Sequence, residues 1–147
     1  MDVREKGHRL ERQVVNMMKK LGFNSAKTTR ANNKTLDACG VDIDNVPFYI
    51  QCKSGYTKGL NYSAIFEYMK SKLIKEFGTI DKPMIIIHKK GRKKYDNLVV
   101  IDNDDEYMVM AYDDFVNKLI SFNELPRTSI DESVAVETTS DKPPHLL

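Results

Sequence analysis

Residues 49–55 read YIQCKSG, a strand-like run that sets an amide, Gln51, and an ammonium, Lys53, two positions apart just before a glycine. Side chains alternate along a strand, so Phe48, Ile50 and Cys52 share one face while Tyr49, Gln51 and Lys53 share the other. The first face is expected to be core, and the second to carry chemistry or meet solvent. A shorter extended run, GVDI at residues 40–43, directs Asp42 away from Val41 and Ile43. Asp44-Asn45 suits a tight turn between the two runs, and antiparallel pairing would bring a carboxylate, an amide and an ammonium onto one face. Carboxylate and amide oxygens can hold cations, and an ammonium can meet an anion. A second carboxylate, Glu11, falls on the apolar stripe of the opening helix, aimed toward the core side.

These residues need elements to hold them. Leu10, Val14, Val15, Met18 and Leu21 recur at helical spacing and Gly22 follows, which predicts a helix over residues 4–21. A first strand is expected over 23–29, a polar loop at ANNKT (31–35), and the two hairpin strands over 41–43 and 47–53. A second helix is expected over 61–77, with Ile65, Phe66, Met69, Leu73 and Phe77 inward and Lys70, Lys72 and Lys75 outward. Met84 to Ile87 is a continuous apolar run, as in a strand covered on both faces. Leu98 to Ile101 and Tyr107 to Met110 read as further strands joined by the turn DNDDE. That run lacks the spacing and glycine of an EF-hand. Asp113 or Asp114 can cap a last helix holding Phe115, Val116, Leu119 and Ile120.

The chain has 147 residues, 41% of them hydrophobic and 30% charged, which suits one domain with its own core. Nothing reaches the length of a membrane span and the N-terminus lacks a secretory apolar run, so no membrane role and a cytoplasmic location are expected. Cys39 and Cys52 make neither a disulfide framework nor a four-ligand zinc site. Residues 1–122, read as the domain, hold 21 Lys and Arg against 16 Asp and Glu, whereas residues 123–147 hold 2 against 5. That C-terminal stretch is polar and contains proline, and it is expected to be a mobile acidic tail. The basic body can meet polyanions.

Helix, three strands, helix, then further strands, with Glu11, Asp42, Gln51 and Lys53 at these places, resembles the PD-(D/E)xK nuclease superfamily, and most closely the Holliday junction resolvases of archaea and their phage and viral relatives. EKGHRLERQVV (5–15) is similar to that family's opening helix, LGFNSAKTTR (21–30) to its helix end and first strand, GVDI to the PD half-motif and YIQCKSG to the (D/E)xK half-motif. The likeness covers residues 4–90. It implies an α/β, restriction-endonuclease-like fold with a central mixed β-sheet flanked by helices. The activity implied is magnesium-dependent hydrolysis of phosphodiester bonds in Holliday junctions or other branched DNA, with Mn²⁺ as a substitute and a homodimer as the assembly. A phage or viral origin would place it in the host cytoplasm.

By the same resemblance Asp42 anchors the metal, with the Gln51 amide oxygen and the backbone carbonyl of Cys52 as further ligands. Lys53 orients the attacking water or steadies charge on the phosphate, and Glu11 serves a second ion or its water. Two positions depart from the family pattern. Gln51 replaces an acid, which removes one negative charge from the site, and Val41 replaces the proline. Phosphate contacts are expected from Arg9, Arg12, Lys34, Lys58, Lys89, Lys90 and Arg92. The competing expectations are a nuclease of the same fold acting on linear duplex, flaps or single strands, and a catalytically silent DNA-binding module. Asp37, five residues before Asp42, is read as structural, and the lone histidines His8 and His88 are given no role.

Overall fold

A computed structural model describes residues 3–55, 60–91 and 97–121. The elements run α1 (Val3–Lys20), β1 (Lys27–Thr28), α2 (Thr29–Asn32), α3 (Lys34–Ala38), β2 (Ile43–Asp44), β3 (Tyr49–Ser54), α4 (Tyr62–Phe77), β4 (Met84–Lys89), β5 (Asn97–Asn103), β6 (Glu106–Ala111) and α5 (Tyr112–Ser121). The fold is α/β. Six strands form one mixed sheet in the order of the chain, with β3 and β4 parallel and every other neighbouring pair antiparallel. The acidic tail expected from residue 123 lies outside the described residues, as do Lys58 and Arg92. Among the described residues no helix is long and apolar enough to cross a membrane.

Both faces of the sheet are covered. Leu10, Val14 and Met18 of α1 and Phe115 and Leu119 of α5 pack with Ile43, Phe48, Ile50, Ile85, Ile87 and Val99. On the opposite face Leu36 and Cys39 join Phe66, Met69 and Leu73 of α4 over Tyr49, Met84, Ile86 and Val100. The apolar run of β4 is therefore buried from Met84 to Ile87, as its unbroken hydrophobicity predicts. The face of β3 that carries Gln51 and Lys53 is also core at its beginning: Tyr49 is buried, so chemistry or solvent can claim only the C-terminal end of that face.

Local sequence explains where the elements stop. α1 ends in a Schellman arrangement: Phe23 N–H reaches the Met18 carbonyl at 3.0 Å and Gly22 N–H reaches that of Lys19 at 2.9 Å, with Gly22 at φ 105°. α4 is capped by Asn61, whose side-chain oxygen accepts from Ala64 N–H at 3.0 Å, and it closes on left-handed Gly78. The Asp104-Asp105 turn of the DNDDE run joins β5 to β6, with Asp104 at φ 59°.

Several expected boundaries are wrong for identifiable reasons. The first strand is two residues long because the chain after α1 is still turning where a strand was expected, with Ala26 N–H on the Phe23 carbonyl at 3.1 Å, and because it enters α2 at Thr29. The segment expected as a polar loop is largely helical: Asn33 accepts from Leu36 N–H at 3.1 Å and Leu36 fills the core beneath it. Phe77 is 49% exposed, beyond the packed stripe of α4. Lys70 does not point freely outward but meets Asp102 at 3.2 Å and the Asp104 carbonyl at 3.4 Å. α5 begins at Tyr112, so Asp113 and Asp114 are first-turn residues facing the helix dipole rather than caps.

The packing separates two residues of α4 cleanly. Phe66→Ala is expected to cost about 3–5 kcal/mol, whereas Ile74→Ala, on the exposed side of the same helix, should stay within about 0.5 kcal/mol. Urea unfolding of both variants checks this, and similar losses would mean that α4 is not seated on Met84 and Ile86.

Candidate functional site

Asp42 stands at the point where the hairpin gives way to irregular chain. Its N–H donates to the Ile50 carbonyl at 2.7 Å, in the manner of a ladder bond. Its carbonyl instead accepts from Thr29 N–H, so Cys52 N–H, the next donor along β3, meets the Asp42 carboxylate at 2.8 Å. A side chain has taken the place of the backbone in the ladder. One carboxylate oxygen, Oδ2, is thereby fixed, and the orientation of Oδ1 follows from it.

Charge around this carboxylate is unbalanced. Burial pushes the Asp42 pKa up to about 7; the Cys52 N–H opposes the rise, Glu11 and Asp37 add to it, and Lys53 lowers it again. Charges on α1, α3 and β3 thus all act on Asp42. Glu11 is indeed on the core side of its helix, with its side chain 13% exposed, but its Oε1 accepts from Arg30 Nε at 3.0 Å. Asp37 accepts a long 3.5 Å bond from the Thr29 hydroxyl, and its charge also adds to the rise of the Asp42 pKa. That hydroxyl is within 2.6 Å of the Val41 carbonyl and braces the same corner.

Gln51 lies one residue from Cys52 and on the opposite face. Its Oε1 is buried without a hydrogen-bond partner among the described residues. A methyl group at Gly40 would come 3.6 Å from that oxygen and 3.4 Å from Met69 Cγ, so the close approach of Gly40, at φ 85°, shapes the space beside the amide. Buried oxygens without partners are rare and mark a place where a water, an ion or a ligand belongs. Cys52 itself packs against the α1 side of the core, as its strand phase predicts, and burial, with Asp42 and Glu11, holds its thiol well above the ordinary range.

Among the described residues no group of three or more His, Cys, Asp or Glu side chains could hold a metal ion. The ligand set expected from the sequence has only two such side chains, Glu11 and Asp42, beside an amide and a carbonyl, and Glu11 is engaged by Arg30. The donor chemistry still fits a hard divalent cation: an Asp42 carboxylate short of positive charge and a Gln51 oxygen with no donor. Of the cations expected to meet DNA, Arg9, Arg12, Lys34 and Lys90 are exposed and Lys89 is half-buried at the end of β4. Sequence reasoning missed Arg30, whose only signal is its place at the end of the TTR run. His88, given no role from the sequence, lies beside the end of β4 and is 1% exposed.

No family model, no curated protein and no solved structure matches the chain.

The raised Asp42 pKa has a definite sign in stability. A carboxyl that holds its proton up to about pH 7 when folded, but only to about 4 when unfolded, favours the folded state at low pH. That contribution is lost as pH rises from about 4 to about 7. In EDTA, Asp42→Asn, which can still accept from Cys52 N–H, should therefore gain stability over the wild type across that interval, by a few kcal/mol at pH 8. Thermal melts from pH 4 to 8 check the point, and parallel curves for the two proteins would refute it.

Proposed function

We propose that this chain is a metal-dependent DNA endonuclease that hydrolyses phosphodiester bonds in branched DNA, Holliday junctions among them, with Mg²⁺ as cofactor and Mn²⁺ as substitute. The observation that carries the reading is the half-buried Asp42 carboxylate, fixed by the Cys52 N–H at 2.8 Å, whose ionisation burial and the charges of Glu11 and Asp37 oppose and that of Lys53 favours. A carboxylate in such surroundings is stabilised as an anion by a divalent cation more than by any group the chain supplies. The element order supports a restriction-endonuclease-like fold: a helix, three antiparallel strands, a helix and then a strand parallel to the third. In this chain two short helices, α2 and α3, lie between the first and second strands.

Asp42 Oδ1, Gln51 Oε1 and the Cys52 carbonyl would hold the cation. When bound, it supplies Lewis acidity toward a phosphate oxygen and a water of lowered pKa. Lys53 places a positive charge where negative charge grows on the phosphate. Glu11 holds Arg30, which is about one-third exposed and so free on its outer side to meet a DNA phosphate. Further phosphate contacts come from Arg9, Arg12, Lys34 and Lys90, which fix the duplex without reading its sequence. A homodimer would offer two such centres to opposing strands of a junction.

A second reading, a DNA-binding module without catalysis, is favoured by Gln51, because a neutral amide leaves the centre one charge short of the family pattern. Cleavage of a labelled synthetic four-way junction in Mg²⁺ or Mn²⁺ separates the two. Paired symmetric nicks are expected from the wild type, with a loss of about 10²-fold or more in Asp42→Ala and Lys53→Ala and little change in junction affinity. Gln51→Glu should lower the metal concentration needed for half-maximal rate. Junction bound by all the proteins and cut by none would make the binding module the better account, and cleavage of flaps or linear duplex alone would remove the junction from the proposal.

A further inference from the structure

The only buried histidine among the described residues stands next to the proposed phosphate-facing lysine. β3 and β4 run parallel with Lys53 opposite His88 and Gln51 opposite Ile86, so the side chains of Lys53 and His88 leave the sheet on the same face. Their proximity is electrical as well, for Lys53 is among the charges that hold the His88 pKa below its ordinary value, after burial as the main cause and against the Gly55 carbonyl. Both ring nitrogens of His88 are used. Nε2 lies 2.8 Å from the Gly55 carbonyl and Nδ1 lies 2.7 Å from the Tyr62 hydroxyl.

These contacts fix the tautomer. A carbonyl can only accept, so Nε2 carries the proton; a neutral ring then has a bare Nδ1, which accepts from the Tyr62 hydroxyl. Tyr62 is the first residue of α4, and its ring packs edge-on against both His88 and Tyr107, with centroids 5.8 and 5.5 Å away. The hydroxyl is thus delivered by the helix that covers this face. The other end of the relay is the turn that ends β3. Gly55 sits at φ 104°, a left-handed conformation, and its N–H donates to the Lys89 carbonyl at 2.8 Å. Gly55 is held on both its backbone groups by consecutive residues of β4, one through a side chain and one through a carbonyl.

We propose that His88 is a positioning residue, which, with Tyr62 as its latch, clamps the Gly55 turn and so sets where β3 presents Lys53. The proposal rests on the nuclease reading for what Lys53 does, but the clamp itself is a property of the chain. Leucine at 88 would fill the buried space and lose both bonds. Glutamine could still donate to the Gly55 carbonyl. Phenylalanine at 62 would keep the ring packing and lose only the hydroxyl, and it serves where His88→Leu does not fold.

The test is NMR of the full chain, with junction cleavage alongside. Imidazole nitrogen shifts are expected to report a proton on Nε2 and none on Nδ1 at pH about 7. The Lys53 side chain should gain motion in His88→Leu, and in Tyr62→Phe to a smaller extent, and lose most of that gain in His88→Gln. For cleavage, kcat should fall about 10- to 100-fold in His88→Leu with junction affinity within two-fold, and the substitution should add nothing in a Lys53→Ala background. A proton on Nδ1, or Lys53 motion unchanged in both His88→Leu and Tyr62→Phe, overturns the proposal. So does an equal loss in His88→Leu and His88→Gln, which would mark a purely structural role. If the wild type cuts neither junction, flap nor linear duplex, the nuclease reading fails by itself, and the tautomer and the Lys53 motion still decide the clamp.

Discussion

The site depends on one hydrogen bond, from the Cys52 amide to the Asp42 carboxylate. In a plain hairpin the Cys52 donor would find a backbone carbonyl on the neighbouring strand. Here that neighbour has turned away to receive Thr29, and a side chain completes the ladder. The bond has two consequences. It satisfies a buried N–H that would otherwise cost about 1–3 kcal/mol, and it draws an acidic group into the sheet at a fixed orientation. Neutral sheet geometry and a charged centre are thus joined in one residue, and neither can be altered without the other.

The second constraint is the double cover of the sheet. Helices α1 and α5 lie on one face and α3 and α4 on the other, so polar groups are tolerated only near strand ends and at seams between helices. Asp42 is influenced by Glu11 from one layer and by Asp37 from the other, which places it at such a seam. Gln51, His88 and Lys53 are displayed on the α3 and α4 side, toward the C-terminal ends of the parallel pair. The parallel pairing matters because it carries both strand ends to the same edge of the layer. An antiparallel β4 would have set its N-terminal end, with apolar Met84, beside Lys53 instead.

The periodic parts of the chain were the legible ones. α1, α4, the hairpin and β4 follow from apolar spacing, and the strand phase correctly sent Cys52 to the core; Asp42 instead lies just before β2, and its neighbours Val41 and Ile43 pack into opposite layers rather than sharing a face. What escaped was set by partners distant in sequence. Glu11 reads as a carboxylate on a core stripe, but only the fold brings Arg30 to it, nineteen positions later. His88 at a strand end carries no visible role in the sequence because its two partners, Gly55 and Tyr62, lie more than twenty-five residues before it. The helices α2 and α3 escaped for a local reason: five polar residues in six suggest a loop, while the Asn33 cap and the single apolar anchor at Leu36 suffice for a short helix.

Gln51 is where charge and structure meet most closely. Its oxygen is buried beside Gly40, Met69 and Tyr68, in a wall that is mostly apolar. A glutamate there would add a third negative charge near a carboxylate that Glu11 and Asp37 already disfavour as an anion. Without a cation, a buried carboxylate at 51 would hold a proton or push into the α4 packing. The amide carries the same oxygen at no charge, so the apo fold is relieved of that repulsion while a lone pair remains for a ligand. The cost falls on affinity, because an amide dipole attracts a divalent cation less than a carboxylate does. On the proposed nuclease reading, such a site would hold its shape without metal and bind metal weakly, and a phosphate that adds the missing negative charge would raise its occupancy.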